Sequence, residues 1–354
     1  MAKIFVCNIG STSTKIALFE DKTSIKQHTI RYQASDFKGF KNILDQQTLR
    51  TQDIEAFCVR EGIDLASMAV IVVRGGVIKP LPGGIYAVDE SLLDDVKTMR
   101  YGEHASNLGL LIGYDWKQRF QVDVIFVDPP VTDELSLLAR YSGLKGYDRR
   151  SIFHALNHKQ TARNYAHSIG RPLQELRLII VHCGGGISVS ACKGGRIVDV
   201  NNALDGEGPF TPSRVGGISS ENLLRLVKDQ DYDLNKVRDI LINQGGLMSY
   251  FDTYDMKHLV DTRGDDQEVQ WVIDAMIYQI AKEVGAIATV LKGEVDQILL
   301  TGGLIYNQTF TGKLSSRIEW IAPITAYPGE DELLAMAMGG YRYLNKEEEL
   351  LTYN

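Results

Sequence analysis

The sequence predicts an α/β protein, and three observations carry that prediction. Short apolar runs rich in β-branched residues alternate with longer helical patterns along the whole chain. Both halves open with three consecutive strand-like runs. Three of the runs lead straight into turns built from small polar residues or glycine: Asn8-Ile9-Gly10-Ser11-Thr12-Ser13-Thr14-Lys15, His182-Cys183-Gly184-Gly185-Gly186, and Thr301-Gly302-Gly303-Leu304.

In chain order, the apolar runs predict strands near 3–8, 14–19 and 25–31, a helical region over roughly 36–62, and a strand at 69–73 ending in Arg74-Gly75-Gly76. The segment Pro80 to Gly84 reads as a loop, because proline and glycine punctuate regular structure. Helical patterns follow near 89–99 and 106–119, then the strand Val122–Val127. The second half predicts a helix near 153–168 and strands near 177–182, 186–192 and 195–200. Helices follow near 219–228, 234–243 and 266–291, then strands at 296–301 and 320–325 and a last helix near 330–345. No low-complexity linker divides the halves; Gly143-Leu144-Lys145-Gly146-Tyr147 is the best boundary, giving domains 1–146 and 147–330.

Composition excludes several classes. The chain has 354 residues, 44% hydrophobic and 23% charged, which suits a two-domain soluble protein. A net charge of -7 and the lack of any Lys/Arg run argue against a nucleic-acid partner and against anionic membranes. No apolar stretch approaches the ~18 residues of a membrane span. The N-terminal apolar run is broken by Asn8 and Gly10, too early for a signal peptide. Cys7, Cys58, Cys183 and Cys192 lack CxxC spacing, so they read as buried free thiols in a reducing cytoplasm rather than as zinc ligands.

The chemistry sits at the turns. Hydroxyls, an amide and a lysine around Gly10 can donate to phosphate oxygens, and the glycine lets backbone approach closely. The same residues also make ordinary turns. Three such turns in one chain suggest a nucleotide clamped between two related sheets. Asp128 stands at a strand end, a place for a turn residue or a functional carboxylate. Arg74 follows four apolar residues, where a charge is costly unless it faces a cleft. His104, His154 and His182 by themselves read as helix-start or core histidines.

At these residues the chain resembles the acetokinase family, within the larger sugar kinase, Hsp70 and actin ATPase group, over nearly its whole length. The resemblance implies two duplicated ribonuclease H-like (actin-like ATPase) domains with a central cleft, the last helix returning to the first domain. It implies ATP or ADP and Mg²⁺ as cofactors, an acid-side role for the first domain and a nucleotide-binding role for the second. Asn8, Gly10, Ser11, Ser13, Lys15, Gly184, Gly185, Gly186, Gly302, Gly303 and Asn307 then hold nucleotide or phosphate. His154 matches the phenylalanine-histidine pair of the family, His182 the histidine before its glycine-rich turn, and His104 matches more loosely on the substrate side. Asp128 matches a family aspartate, and with Asn8 and Glu332 would lie near the metal; Glu330 or Asp331 could serve in place of Glu332. Arg214, in Phe210-Thr211-Pro212-Ser213-Arg214, matches the second arginine segment. The family's first arginine corresponds to Ile71, with Arg74 as its nearby substitute.

What the resemblance implies is a transfer without a general base, since a carboxylate is already ionised at neutral pH whereas a sugar hydroxyl needs a positioned aspartate. Arg74-Gly75-Gly76, Glu103-His104-Ala105-Ser106-Asn107 and the triple glycine resemble the branch acting on butyrate, with isobutyrate equally compatible. Partners are then a short carboxylic acid or its acyl phosphate and an adenine nucleotide, with a homo-oligomer expected. Alternatives are an acetate or propionate kinase, a sugar kinase, or a non-kinase nucleotide binder of the same group.

Overall fold

The computed structural model describes residues 1–353 and divides into two compact units. The first is Met1–Thr132 together with the chain from Asp331 onward; the second is Asp133–Glu330.

In the first unit, strands β1 (Lys3–Ile9), β2 (Ser13–Glu20) and β3 (Thr23–Arg31) form an antiparallel meander. Strands β4 (Val70–Val73), β5 (Ile85–Ala87) and β6 (Val124–Val127) extend it, and Leu350–Leu351 adds a short edge. Across the sheet the order is Leu350–Leu351, β5, β6, β4, β1, β2, β3, with β1–β4 and β4–β6 parallel. The parallel centre explains why Ile4, Phe5, Val6, Ile71 and Val72 are all fully buried: helices cover both faces, so these strands are apolar throughout rather than alternating. On one face lies the helix Asn107–Phe120; on the other lies the last helix, Glu332–Leu344. That last helix can lie close only because of two glycines. A β-carbon at Gly339 would meet Val127 at 2.4 Å, and one at Gly340 would meet Val72 at 2.9 Å. The close seat brings the helix's first turn, with Glu332, over the β1 end.

The second unit repeats the scheme. Strands β7 (Arg177–Cys183), β8 (Ile187–Lys193) and β9 (Arg196–Val200) form a meander, and β10 (Gln297–Gly302) and β11 (Ile324–Pro328) continue it in parallel. Its order, β11-β10-β7-β8-β9, has the same sense as β6-β4-β1-β2-β3. One face is covered by the helix Ala155–Ser168 and the other by the 24-residue helix Gln267–Val290. Residues 133–146 belong here. Glu134 takes a hydrogen bond at 2.7 Å from Lys159 and another at 2.6 Å from the Ile197 backbone, a buried ion pair with its second oxygen satisfied.

Most sequence-based elements appear within a few residues; strand β5 and the helices Gly246–Phe251 and Met256–Arg263 are additional, too short for an apolar period to show, and three further differences have a local cause. The helical region 36–62 shrinks to Gln47–Arg60, because Asn42 and Asp45 close a capping box that starts a separate short turn. The helix Gln308–Ile318 was absent from the sequence reading, as its Gly312 and four hydroxyl residues blur the apolar period. The strand expected at 320–325 instead runs Ile324–Pro328, pairing in parallel with β10. All four cysteines are buried and free, and burial pushes the Cys7 and Cys183 thiols up. Among the described residues no helix is long and apolar enough to cross a membrane.

Candidate functional site

In the first unit, the polar segment after β1 is a hairpin turn. The Gly10 N–H donates to the Ser13 carbonyl at 2.8 Å, and Ile9 faces Thr14 across the pair. Asn8, the last but one residue of β1, is 7% exposed and donates from Nδ2 to Glu332 Oε2 at 2.7 Å. Glu332 Oε1 faces Arg74 Nη1 at 2.9 Å. One carboxylate of the last helix therefore joins the ends of β1 and β4, bringing together Asn8, Arg74 and Glu332. Ser11 and Lys15 point to solvent, and Lys15 makes no ion pair among the described residues. Ile71, by contrast, is a fully buried core residue of β4.

His104 belongs to the same neighbourhood. Burial, and then the positive charge of Arg74, push its imidazole below the usual histidine range, and its Nδ1 lies 2.7 Å from Ser106 Oγ. The approach depends on Gly76, where a β-carbon would meet Asn107 Oδ1 at 2.4 Å. Asn107 uses that oxygen to accept from the Val77 N–H at 2.7 Å, fixing the turn after Arg74. Asp128, with φ of +39°, ends β6 and accepts from the Gly84 N–H at 2.9 Å.

Sequence reasoning missed Arg50. It is fully buried beneath the hairpin turn, donating to the Ser11 carbonyl at 2.9 Å and to Thr14 Oγ1 at 3.1 Å. Its guanidinium lies 4.5 Å from the Tyr32 ring centre, and burial lowers its affinity for the proton. The signal was present: Arg50 falls in the apolar stripe of its helix with Ile54 and Phe57, at i, i+4 and i+7.

In the second unit the triple glycine forms the β7–β8 turn, with the Gly184 N–H donating to the Gly186 carbonyl at 3.0 Å. His182 is the last but one residue of β7, and His154 precedes the helix Ala155–Ser168. Their rings stack with centres 3.8 Å apart. His182 Nδ1 lies 2.9 Å from Asn157 Oδ1, and its Nε2 lies 3.4 Å from Glu330. Glu330 and Glu332, two residues apart, thus end up against different partners. A β-carbon at Gly186 would meet Arg214 Nη1 at 2.1 Å and His154 Cε1 at 3.0 Å, so the glycine turn, Arg214 and the histidine pair converge. Thr211 ties Arg214's turn to the glycine turn by donating from Oγ1 to the Gly185 carbonyl at 2.7 Å. Arg214 Nη1 donates to the Ala203 carbonyl at 2.8 Å, its Nε has no hydrogen-bond partner among the described residues, and burial lowers its affinity for the proton. A buried guanidinium with a donor left over is suited to an anion.

Gly302, with φ of +95°, passes so near β7 that a β-carbon would meet the Cys183 carbonyl at 2.3 Å. Beyond it a cavity of about 820 Å³ is lined by Tyr254, Asp255, Gly303, Leu304, Tyr306 and Asn307. Asn307 also caps the helix Gln308–Ile318, accepting from the Phe310 N–H at 2.9 Å.

The acetokinase family model matches residues 139–317. Butyrate kinase 1 of Clostridium acetobutylicum is 42% identical over 354 residues, covering 100% of both chains. A protein of Enterococcus faecalis named "Probable butyrate kinase" is 41% identical over 355 residues, covering 100% of this chain and 98% of its own. The crystal structure of Porphyromonas gingivalis acetate kinase superposes with a TM-score of 0.79 at 16% identity, covering 97% of this chain and 100% of that one, a likeness of fold.

Proposed function

The chain belongs to the acetokinase family, and from that premise we propose that it is a butyrate kinase. It transfers the γ-phosphoryl group of ATP to butyrate, or to a similar short or branched acid, and returns it from the acyl phosphate to ADP. The observation that carries this reading is the 42% identity to a butyrate kinase along the full length of both chains.

The physical task is electrostatic. Both substrates are anions, and the attacking carboxylate needs no proton removed. We assign Arg74 the acid's carboxylate, because its planar fork binds such groups in pairs, with His104 beside it. Glu332 holds Arg74 in place from 2.9 Å until the acid competes for it. Lys15 and the hydroxyls of Ser11 and Ser13, with the Gly10 backbone, meet the polyphosphate. His154, His182 and Arg214 stabilise the phosphoryl group in flight as hydrogen-bond donors, Arg214 with its charge as well, aided by the backbone of Gly184, Gly185 and Gly186. The cavity beyond Gly302 and Gly303 is of a size to take a nucleoside, with Asn307 on its wall.

Magnesium fits the donors available. Asp128 and Glu332 are carboxylates, and Asn8 has its nitrogen committed to Glu332, which leaves its oxygen for a cation. An ion of this kind is commonly held by one or two carboxylates and the nucleotide's phosphates. When bound, the ion would spread the charge of the β- and γ-phosphates. A homo-oligomer is the assembly this reading expects, and light scattering on the purified chain measures it.

The test is ADP release with Mg-ATP against a panel of short acids, sugars, and no acceptor. Release with butyrate and not with sugars is expected. Sugar-dependent release would make the chain a sugar kinase, and acceptor-independent turnover would make it an ATPase.

A further inference from the structure

Behind His154 lies a chain of hydrogen bonds that leads away from the proposed chemistry. His154 Nδ1 is 2.9 Å from Ser188 Oγ; Ser188 Oγ is 2.8 Å from His158 Nε2; His158 Nδ1 is 2.7 Å from Ser190 Oγ. Ser188, His158 and Ser190 are fully buried. The arrangement is local in origin: His154 and His158 are four residues apart at the start of one helix, and Ser188 and Ser190 share one face of β8.

Proton counting gives this chain a direction. Among the described residues no acidic side chain lies against His158, so burial keeps it neutral, with one ring proton. Suppose that proton sits on Nδ1. It then points at Ser190 Oγ, and the Ser190 hydroxyl proton is left buried without an acceptor, because His158 is the hydroxyl's one partner among the described residues. An orphaned buried donor loses its hydrogen bond to water with nothing in return, which disfavours this tautomer. If the proton sits on Nε2 instead, every donor is used. Ser190 donates to His158 Nδ1, His158 Nε2–H donates to Ser188 Oγ, and Ser188 donates to His154 Nδ1. His154 must then carry its own proton on Nε2, the edge that faces Gly186, where a β-carbon would come within 3.2 Å of that nitrogen.

We infer that Ser190, His158 and Ser188 are positioning residues that hold His154 as the neutral Nε2–H tautomer, a fixed hydrogen-bond donor toward the transferred phosphoryl group. The inference rests on the role proposed for His154. Two consequences follow from the same proton count. His154 resists becoming an imidazolium, since a proton on its Nδ1 would orphan the Ser188 hydroxyl proton, and the neutral ring stacks on His182 with centres 3.8 Å apart. Nor does His154 offer a lone pair at Nε2, so it cannot take the phosphoryl group itself, and transfer passes directly from nucleotide to acid.

Long-range ¹H–¹⁵N correlation spectra of histidine-labelled protein at pH 7 to 8 report the tautomer of each ring, with His154 and His158 assigned through His154→Gln and His158→Gln. The expected pattern is Nε2–H at both rings. Nδ1–H or an imidazolium at His154 overturns the inference. In Ser190→Ala the last donor is gone, so the chain can reverse: His154 should become a mixture of tautomers, and kcat should fall roughly 5- to 20-fold with KM for ATP and acid within about twofold. An unchanged tautomer together with an unchanged kcat in this variant also overturns it. If the protein phosphorylates no acid at all, the proposed function fails, while the spectrum of the wild-type protein still decides the tautomer.

Discussion

Gly186 is the residue where geometry and chemistry can be separated most cleanly. Its φ is not positive, so alanine is compatible with the backbone, and the atom in the way is the far end of a flexible side chain, Arg214 Nη1 at 2.1 Å. Gly186→Ala should therefore fold normally and push the guanidinium and the His154 ring out of place. We expect kcat to fall on the order of 10²-fold, the scale of losing one charge partner of a transition state, with the melting temperature within a few degrees of wild type. Full activity in a stably folded Gly186→Ala would remove Arg214 and the glycine turn from the chemistry. Such residues were legible in the sequence because they sit in a short run, His182 to Gly186, whose composition has few ordinary uses. His158 and Ser188 were not, since a histidine in a helix and a serine in a strand carry no mark of what they face until the helix is laid against β8.

The elements themselves were legible wherever the apolar period is strict, as in the two three-strand meanders and the helix Gln267–Val290. They blurred where capping or glycine decides the ends, as at Asn42 and Gln308–Ile318. Arg50 belongs to this scale, because it joins an element to a turn: the guanidinium of the helix Gln47–Arg60 donates to the hairpin turn at the Ser11 carbonyl and Thr14 Oγ1. Arg50→Met keeps the length and the apolar stem but drops the donors to the turn and to Gln46 Oε1. The turn between β1 and β2 should loosen, raising KM for ATP several-fold and lowering kcat, and thermal stability should fall modestly, by about 1–3 kcal/mol, because the buried Gln46 Oε1 and the Ser11 carbonyl lose their donor. A large loss of stability with wild-type kinetics would make Arg50 a core brace rather than a support for phosphate binding. A pH effect belongs here too. Burial, and then His182, hold the His158 imidazole well below its usual 6.5. Unfolded chains bind a proton there that folded chains do not, so stability is full above pH ~6.5 and falls as pH drops toward the folded value, by at most about 1.4 kcal/mol per pH unit. Denaturation of wild type and His158→Gln at pH 7 and 5.5 should show the larger loss in wild type; equal losses would mean that His158 titrates normally in the fold.

At the scale of the whole molecule, duplication is the organising fact: the order β6-β4-β1-β2-β3 recurs as β11-β10-β7-β8-β9. Duplicated scaffolds of this kind serve many reactions, so the acceptor has to be argued from the site and not from the fold. If Arg74 holds the acid's carboxylate as proposed, each methylene of the alkyl tail withdrawn from water contributes about 0.8 kcal/mol. Butyrate has two more methylenes than acetate, or roughly 1.6 kcal/mol, which is on the order of 15-fold in kcat/KM. Propionate should fall between them, near fourfold below butyrate on the same arithmetic of about 0.8 kcal/mol. Isobutyrate tests the width of the slot as well as its depth, since it carries the same carbon count on a branch. Measured kcat/KM at saturating Mg-ATP should therefore run butyrate, then propionate, then acetate, in steps of a few-fold. Steps far larger than this would mean that short acids sit out of line for transfer instead of merely binding weakly. Acetate equal to or better than butyrate would overturn the butyrate assignment, and would do so without touching the acyl-phosphate chemistry, because the ionised carboxylate and its arginine are common to every acid in the series.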